Sequence, residues 1–429
     1  MKKIIIAAFV VLIWTLLINQ TSYANPAFAR KYQTSCVTCH TVYPQLNSFG
    51  ESFRINGYQF PVDDEENVKE KPVPMGAEAY KRVWPDAVWP NSIPGTAPFS
   101  LRGRSAFTVS TDDSSGQTTS QFGMPALQIL AAGVLGKDLS FWIGAHLFEN
   151  GETGSIDNFF MKFDNLLTDW LPEKALYLKV GQFIPEIVPF ATFHRSLTEA
   201  AYAMNTYSPS MGDKFVAGHA HGTGTFGIEQ FQLGAEVSGV LHSRLRYVIG
   251  VVNGNSVAAD RNSSRDFYGR LAYKFGGLAF DGTSTNDTTS AEKFDNSKET
   301  SFSLGAFGYK GIGTLSANED YDFYRAGSDI SFIMGSLRVT GGILLGSDGA
   351  ADAQKYNLFF GEAQYMFYPW LAGIVRYEQA NLKTLPSGKQ IVVHISSLLV
   401  ANVKIKAETV INPNKTDMFN LFIGLDFAL

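Results

Sequence analysis

The chain has 429 residues, of which 45% are hydrophobic and 17% charged, with a formal net charge of −5. That length allows a large core, or two or three domains in a soluble protein, while the lack of any Lys/Arg block argues against nucleic acid or an anionic lipid surface as a partner. Its 2 cysteines both lie inside one pentapeptide, which excludes the disulfide framework expected of a disulfide-using exported protein of this size.

In chain order, the first element is an export signal. Met1-Lys2-Lys3 gives a positive start, and Ile4 to Ile18 is an apolar stretch too short to be read first as a membrane span. Ser22-Tyr23-Ala24 offers small residues at the two positions a signal peptidase reads, so residues 1–24 are expected to be cleaved. No later segment reaches the ~20 uninterrupted apolar residues of a transmembrane helix.

Cys36-Val37-Thr38-Cys39-His40 follows. Cys-x-x-Cys-His suits covalent haem c because each thiol can add to a vinyl group while the next residue places an imidazole under the iron. A thioredoxin-like pair would need a βαβ setting, and none is visible here. A zinc ribbon would need two more ligands, yet there are no other cysteines and the remaining histidines are scattered from His146 onward. Cys36 and Cys39 are therefore the expected thioether attachments of one haem, and His40 the proximal iron ligand.

A short helix is expected next. Pro44 can sit in its first turn, Leu46, Phe49 and Phe53 recur at helical spacing to form an apolar face toward the porphyrin, and Gly57 can end it in a left-handed conformation. Arg54 suits either a solvated helix face, the favoured reading, or a haem propionate. Met75, in a proline-bounded loop, is a candidate distal ligand, with Met124 and His194 as further candidates and a five-coordinate iron as the alternative. Residues 25–62 are thus read as a haem segment. Residues 63–98, with the acidic run Asp63-Asp64-Glu65-Glu66 and a proline-rich stretch, are read as a solvated linker.

From residue 99 to 429 the texture is that of strands: short segments alternate apolar with polar or small residues between Gly, Asn, Asp and Ser clusters. In the last segment Phe419, Leu421, Ile423, Leu425, Phe427 and Leu429 share one face, with Phe422 the exception on the other. The fold class expected is a transmembrane antiparallel β-barrel of about 16 strands, within 14–18, with lipid as the outer solvent and a small α-helical haem segment before it. Candidates at 276 to 283 and 310 to 317 leave the count open. Polar stretches at 111–121, 253–265 and 283–300 are expected as outward-facing loops, and aromatic pairs near segment ends as interfacial girdles. A soluble β-sandwich or propeller also alternates, but no blade-length repeat is present. The 184–220 stretch is too long for a hairpin loop and is expected to fold inward or to cover the mouth. Within it, His219 and His221 are spaced to face one side of a strand, as a loop pair or, less favoured, a metal pair.

The run from Pro26-Ala27-Phe28-Ala29-Arg30 through Cys36-x-x-Cys39-His40 to Pro44-x-Leu46-Asn47-x-Phe49-Gly50-x-x-Phe53-Arg54-x-Asn56-Gly57-Tyr58 resembles the fused monohaem cytochrome and porin proteins of bacterial outer membranes, best known from outer-membrane iron-oxidising cytochromes. The detailed match spans about 35 residues, and the barrel matches only in architecture. The resemblance implies a haem segment that plugs or caps the barrel and passes electrons across the outer membrane. Extracellular Fe(II) or another donor would stand on one side and a periplasmic electron-carrier cytochrome on the other. Lys31-Tyr32-Gln33-Thr34 departs from the iron-oxidising pattern, so the donor stays open, as does the direction of flow. No nucleophile elbow, phosphate loop or carboxylate pair points to bond-making catalysis. The alternatives are a solute porin whose haem segment is structural or redox-sensing, and a soluble periplasmic haem enzyme such as a peroxidase.

Overall fold

The structure is a computed structural model that describes residues 27–74, 92–95, 97–111, 117–149, 151–190, 196–207, 226–254, 263–284, 295–314, 320–349, 354–382, 387–414 and 420–429. The expected signal segment, Met75, His194, His219 and His221 lie outside the described residues, as does the side chain of Met124.

Before the barrel come α1 (Ala27–Tyr32), the hairpin β1 (His40–Val42) and β2 (Gln45–Leu46), α2 (Ser48–Ile55), α3 (Asp64–Asn67), and a two-residue pairing of β3 (Val73–Pro74) with β4 (Ser92–Ile93). The strands that follow are β5 (Phe99–Thr111), β6 (Thr118–Val134), β7 (Leu139–Glu149), the two-residue β8 (Glu152–Thr153), β9 (Ile156–Phe163), β10 (Tyr177–Phe183), β11 (Gln232–Leu241), β12 (Leu245–Val252) and β13 (Asp266–Gly276). After them come β14 (Thr300–Thr314), β15 (Asp320–Met334), β16 (Leu337–Asp348), β17 (Gln354–Tyr368), β18 (Leu371–Leu382), β19 (Gly388–Val400), β20 (Val403–Ile411) and β21 (Asn420–Ala428). With β8 counted as an extension of the β7 hairpin, 16 antiparallel strands close a barrel in sequence order. The seal is between the last strand and the first, with Leu421 opposite Val109 and Leu425 opposite Ser105. Closure leaves no unpaired edge, the condition for a sheet in lipid.

The alternation of side chains is what makes the closed sheet a membrane protein. In β21, Ile423, Leu425 and Phe427 are exposed on the outside while Phe422, Gly424, Asp426 and Ala428 are buried on the inside. Exposed Ile249, Phe267, Leu271, Ile343, Val375 and Ile395 continue that apolar outer belt around the wall. The protein is accordingly an outer-membrane barrel. No described helix is long and apolar enough to cross a membrane, since the crossing is made by strands.

Of the two uncertain strand candidates, 310–314 is the end of β14, with 315–317 outside the described residues, and 276–283 is no strand beyond Gly276. Of the candidate segment 222–238, the described residues enter the sheet at Gln232.

Strand parity corrects one expectation. Two-residue turns at 335–336, 369–370 and 401–402 share an end of the barrel with its first and last residues, the periplasmic end by the short-turn rule. The connection 277–299 joins β13 to β14 at that same end, so 283–300 is not an outward-facing loop. Its Ser/Thr/Asp content reports contact with water, and both ends of a barrel meet water. Its first residues turn inward instead, where Leu278 is buried and Ala279 O accepts a hydrogen bond from Ser52 Oγ at 3.0 Å.

The lumen is filled in two layers. Near the turn end sits the N-terminal segment, gripped from around the wall: Lys404 Nζ donates to Tyr43 O (2.9 Å), Arg338 to Leu46 O (3.3 Å), Lys162 to Ile55 O (2.5 Å), and the Gln45 and Gln364 amides pair reciprocally. Farther out lie the described parts of the connection between β10 and β11, which fold inward, one of the two placements expected from its length. Ile187, Phe190, Tyr202, Met204 and Ile228 form one buried cluster with the lumen faces of Val248, Tyr309, Leu344 and Phe360. Its helical turn α4 (Ala203–Thr206) carries Met204 against Gly342 of β16.

Candidate functional site

The Cys-x-x-Cys-His stretch is shaped by one asparagine. Asn47 caps α2 by accepting from Gly50 N (2.9 Å), and its amide group donates to Val37 O (3.2 Å) and Thr38 O (3.0 Å), which ties the helix start to the short 3-10 turn Cys36–Thr38. Pro44 is therefore not in the first turn of the helix. It lies between β1 and β2, and the cap is three residues later. Gly50 is required by proximity, because a Cβ there would stand 2.1 Å from Cys39 O. The helix ends where expected, with Gly57 at φ +67° and Tyr58 N donating back to Phe53 O at 3.0 Å.

The apolar face of α2 divides. Phe49 joins an aromatic core with Tyr32, Phe53, Tyr58, Phe60 and Leu278, in which Tyr32 and Phe60 stack at 4.0 Å. Leu46, and Phe53 with its other side, border a mostly apolar cavity of about 260 Å³, which Cys36, Cys39 and His40 line from the segment and Leu101 and Trp142 from the wall. The acidic run is not free of this unit. Asp64 accepts from Tyr32 Oη and from Phe60 N, both at 2.6 Å, because a buried phenol and a loop amide each need an acceptor.

His40 Nδ1 lies 3.1 Å from Pro44 O, an oxygen that can only accept, so Nδ1 carries the proton and Nε2 is left with a lone pair. Burial pushes the imidazole down to about 4, which keeps it neutral near pH 7, as a metal ligand must be. Burial, with Cys36 beside it, pushes the Cys39 thiol up to about 12, and burial raises Cys36 too. These protonated thiols lack the low pKa of a dithiol redox pair. Two thiols and a tautomer-fixed imidazole on the wall of one apolar cavity fit covalent haem c, with Cys36 and Cys39 for attachment and His40 for the iron.

Among the described residues, four charged side chains border the cavity: Arg54, Arg102, Lys179 and Glu186. Arg54 is not on a solvated face. It pairs with Glu186 at 2.7 Å and Glu51 at 3.0 Å, and Glu186 also takes Lys179 and Arg246. The wall residues Trp142, Arg102, Lys179 and Glu186 escape a reading of the sequence because they come from strands and a loop far from the motif. The available signal is phase: Arg102 and Arg104 both fall on the lumen side of β5, where charge is permitted. Tyr43 is closer, its ring 5.4 Å from that of His40.

No known protein-family profile matches the chain, and no curated protein matches it in sequence. Solved structures do match in fold. The anion-selective porin from Comamonas acidovorans superposes with a TM-score of 0.56 at 11% identity, covering 78% of this chain and 100% of the porin. Salmonella typhi OmpF, solved in complex with daunomycin, gives 0.52 at 10% identity, covering 79% and 98%. At such identity the likeness is one of fold: this chain is a porin-type β-barrel of the bacterial outer membrane.

Proposed function

We propose that the protein is an outer-membrane electron-transfer cytochrome, in which the N-terminal segment holds one covalent haem c inside a plugged barrel. The observation that carries this reading is the convergence of Cys36, Cys39 and His40 on one apolar cavity within the lumen. When bound, the haem supplies one-electron chemistry. The protein does the rest. Cys36 and Cys39 would hold the porphyrin covalently, His40 would ligate the iron through Nε2, and Phe53 and Trp142 on the cavity wall would exclude water. A barrel's apolar band is only ~25 Å tall, so a site held in the lumen lies within the membrane that electrons must cross, as a separate soluble carrier does not. The partners are then a periplasmic electron-carrier cytochrome on the turn side and Fe(II) or another extracellular redox partner outside, with either direction of flow allowed. Met75 is the first candidate for a second iron ligand, with Met124 and His194 as further candidates and a five-coordinate iron as the alternative. The catalytic work is outer-sphere transfer, with no bond-making residue required.

A solute porin with a structural or redox-sensing haem segment is the second reading, and the likeness to porins in fold favours it. The two layers of side chains across the lumen weigh against it. Proteoliposomes loaded with an electron acceptor separate the two. A conduit passes electrons from external ferrous iron and stops in His40→Ala; a porin passes small solutes whether or not electrons move. Solute flux without electron transfer in the intact protein would overturn the cytochrome reading.

A further inference from the structure

The charges around the cavity fall into two groups that are balanced differently. On the α2 side, Arg54, Lys179 and Arg246 gather around Glu186, with Glu51 and Glu236 as additional carboxylates for Arg54 and Lys179. On the β5 side, Arg102 shares a single carboxylate, Asp426, with Lys404 and Lys406. Its own contact is long, 3.5 Å from Nη2 to Oδ2, with a 3.4 Å bond to the neutral Gln128 amide. Lys406 is also paired with Glu199 (2.6 Å), which in turn serves Arg104 (2.7 Å). The Nε of Arg102 is buried and has no partner at all. A guanidinium with an unused donor in a low-dielectric wall is costly unless an anion completes it.

Position agrees with charge. The Arg102 guanidinium lies over the Tyr43 ring, 5.7 Å from its centre, and the Tyr43 ring is in edge contact with His40. Lys404 is tied to the same residue through Tyr43 O. Haem c brings propionate carboxylates into whatever cavity takes it, and in an apolar site these need a cation.

We propose that Arg102 is the propionate-positioning residue of the cavity, and that Arg54, already committed to Glu186 and Glu51, is not. This rests on the haem reading above, and the test separates the two. Full-length wild type, R102Q, R102K and R54Q are matured with covalent haem, checked for a folded barrel by heat-modifiable mobility, and titrated spectroscopically in detergent at fixed applied potentials. Loss of one nearby positive charge favours the ferric state. The reduced-to-oxidised ratio of R102Q therefore falls on the order of tenfold, as expected for a unit charge at an effective dielectric near 20. The ratio also becomes pH-dependent near neutrality, because a propionate no longer held ionised takes up a proton on reduction. R102K restores most of the ratio. Haem attached with R102Q unchanged, a fall without new pH dependence, or the same change appearing in R54Q instead would each overturn the proposal. Wild type without covalent haem would overturn the cytochrome reading itself.

Discussion

The two layers that fill the lumen are built from the same materials and do different things. The N-terminal layer presents carbonyls to wall cations: Tyr43, Leu46 and Ile55 accept from Lys404, Arg338 and Lys162. The outer layer is held in both senses. Glu199 and Ala200 amides donate to Glu408, Ala203 N to Glu378 and Glu186 N to Glu236, while Arg376 and Arg270 donate to the carbonyls of Ala200 and Ile187. The first layer keeps a cavity beside Cys36, Cys39 and His40. The second is packed ring on ring, with Phe190 and Phe360 centroids 4.7 Å apart and Phe226 and Tyr309 4.4 Å apart. A site needs room and chemistry, whereas a closure needs packing and satisfied backbone, so the first layer reads as the site and the second as the closure.

That division can be broken by substitution. The largest effect is expected from Cys36→Ala with Cys39→Ala: haem staining on a denaturing gel disappears entirely while heat-modifiable mobility persists, because the cysteines line a cavity and hold no part of the barrel. Staining that survived would remove the site from the first layer. Next is Arg376→Leu. This fully buried guanidinium donates to Thr198, Ala200 and Ala201 and pairs with Glu362 and Glu378, so its loss strands two buried carboxylates at a cost of about 3–5 kcal/mol. The outer layer should then be cut by protease, and single-channel conductance should rise. Unchanged conductance would show that this layer is not the closure.

Smaller effects sharpen the contrast. Gly50→Ala forces the start of α2 away from the motif and should cost about 1–3 kcal/mol, seen as faster proteolysis within 27–74 with conductance unaffected. The least is a matter of acidity. Burial raises the Glu199 carboxyl, but Lys406 and Arg104 outweigh it and hold the group down at about 2 against an ordinary 4.5. A depressed carboxylate contributes stability that is present above pH 4.5 and is lost as the pH falls through 4.5 toward 2. Conductance should therefore climb over that window in wild type, and less in Glu199→Gln.

Much of this molecule was legible in one dimension. Alternation in the last strand gave its lipid face, including the inward Phe422, because a period of two is local to the chain. The helix after the motif and its exit at Gly57 were likewise local. The tie between the start of that helix and the motif was not, since it is made by the Asn47 amide, which caps α2 through Gly50 N and also reaches back to Val37 O and Thr38 O. Nor was the side on which the 277–299 connection lies, because parity counts every strand before it and one misjudged candidate flips the answer. Arg54 looked like a surface residue from its helix position and is half-buried against Glu186, 132 residues away in sequence.

By itself the sequence determined the sheet period, the two faces of each strand and the chemistry packed into Cys36 to His40, all of which rest on neighbours within a few residues. Only the tertiary structure decided that the lumen is filled, that the motif opens on a cavity there, and that Arg102 rather than Arg54 is the under-matched cation beside it. Those facts depend on which distant side chains meet inside a closed barrel, and closure is a property of all the strands at once.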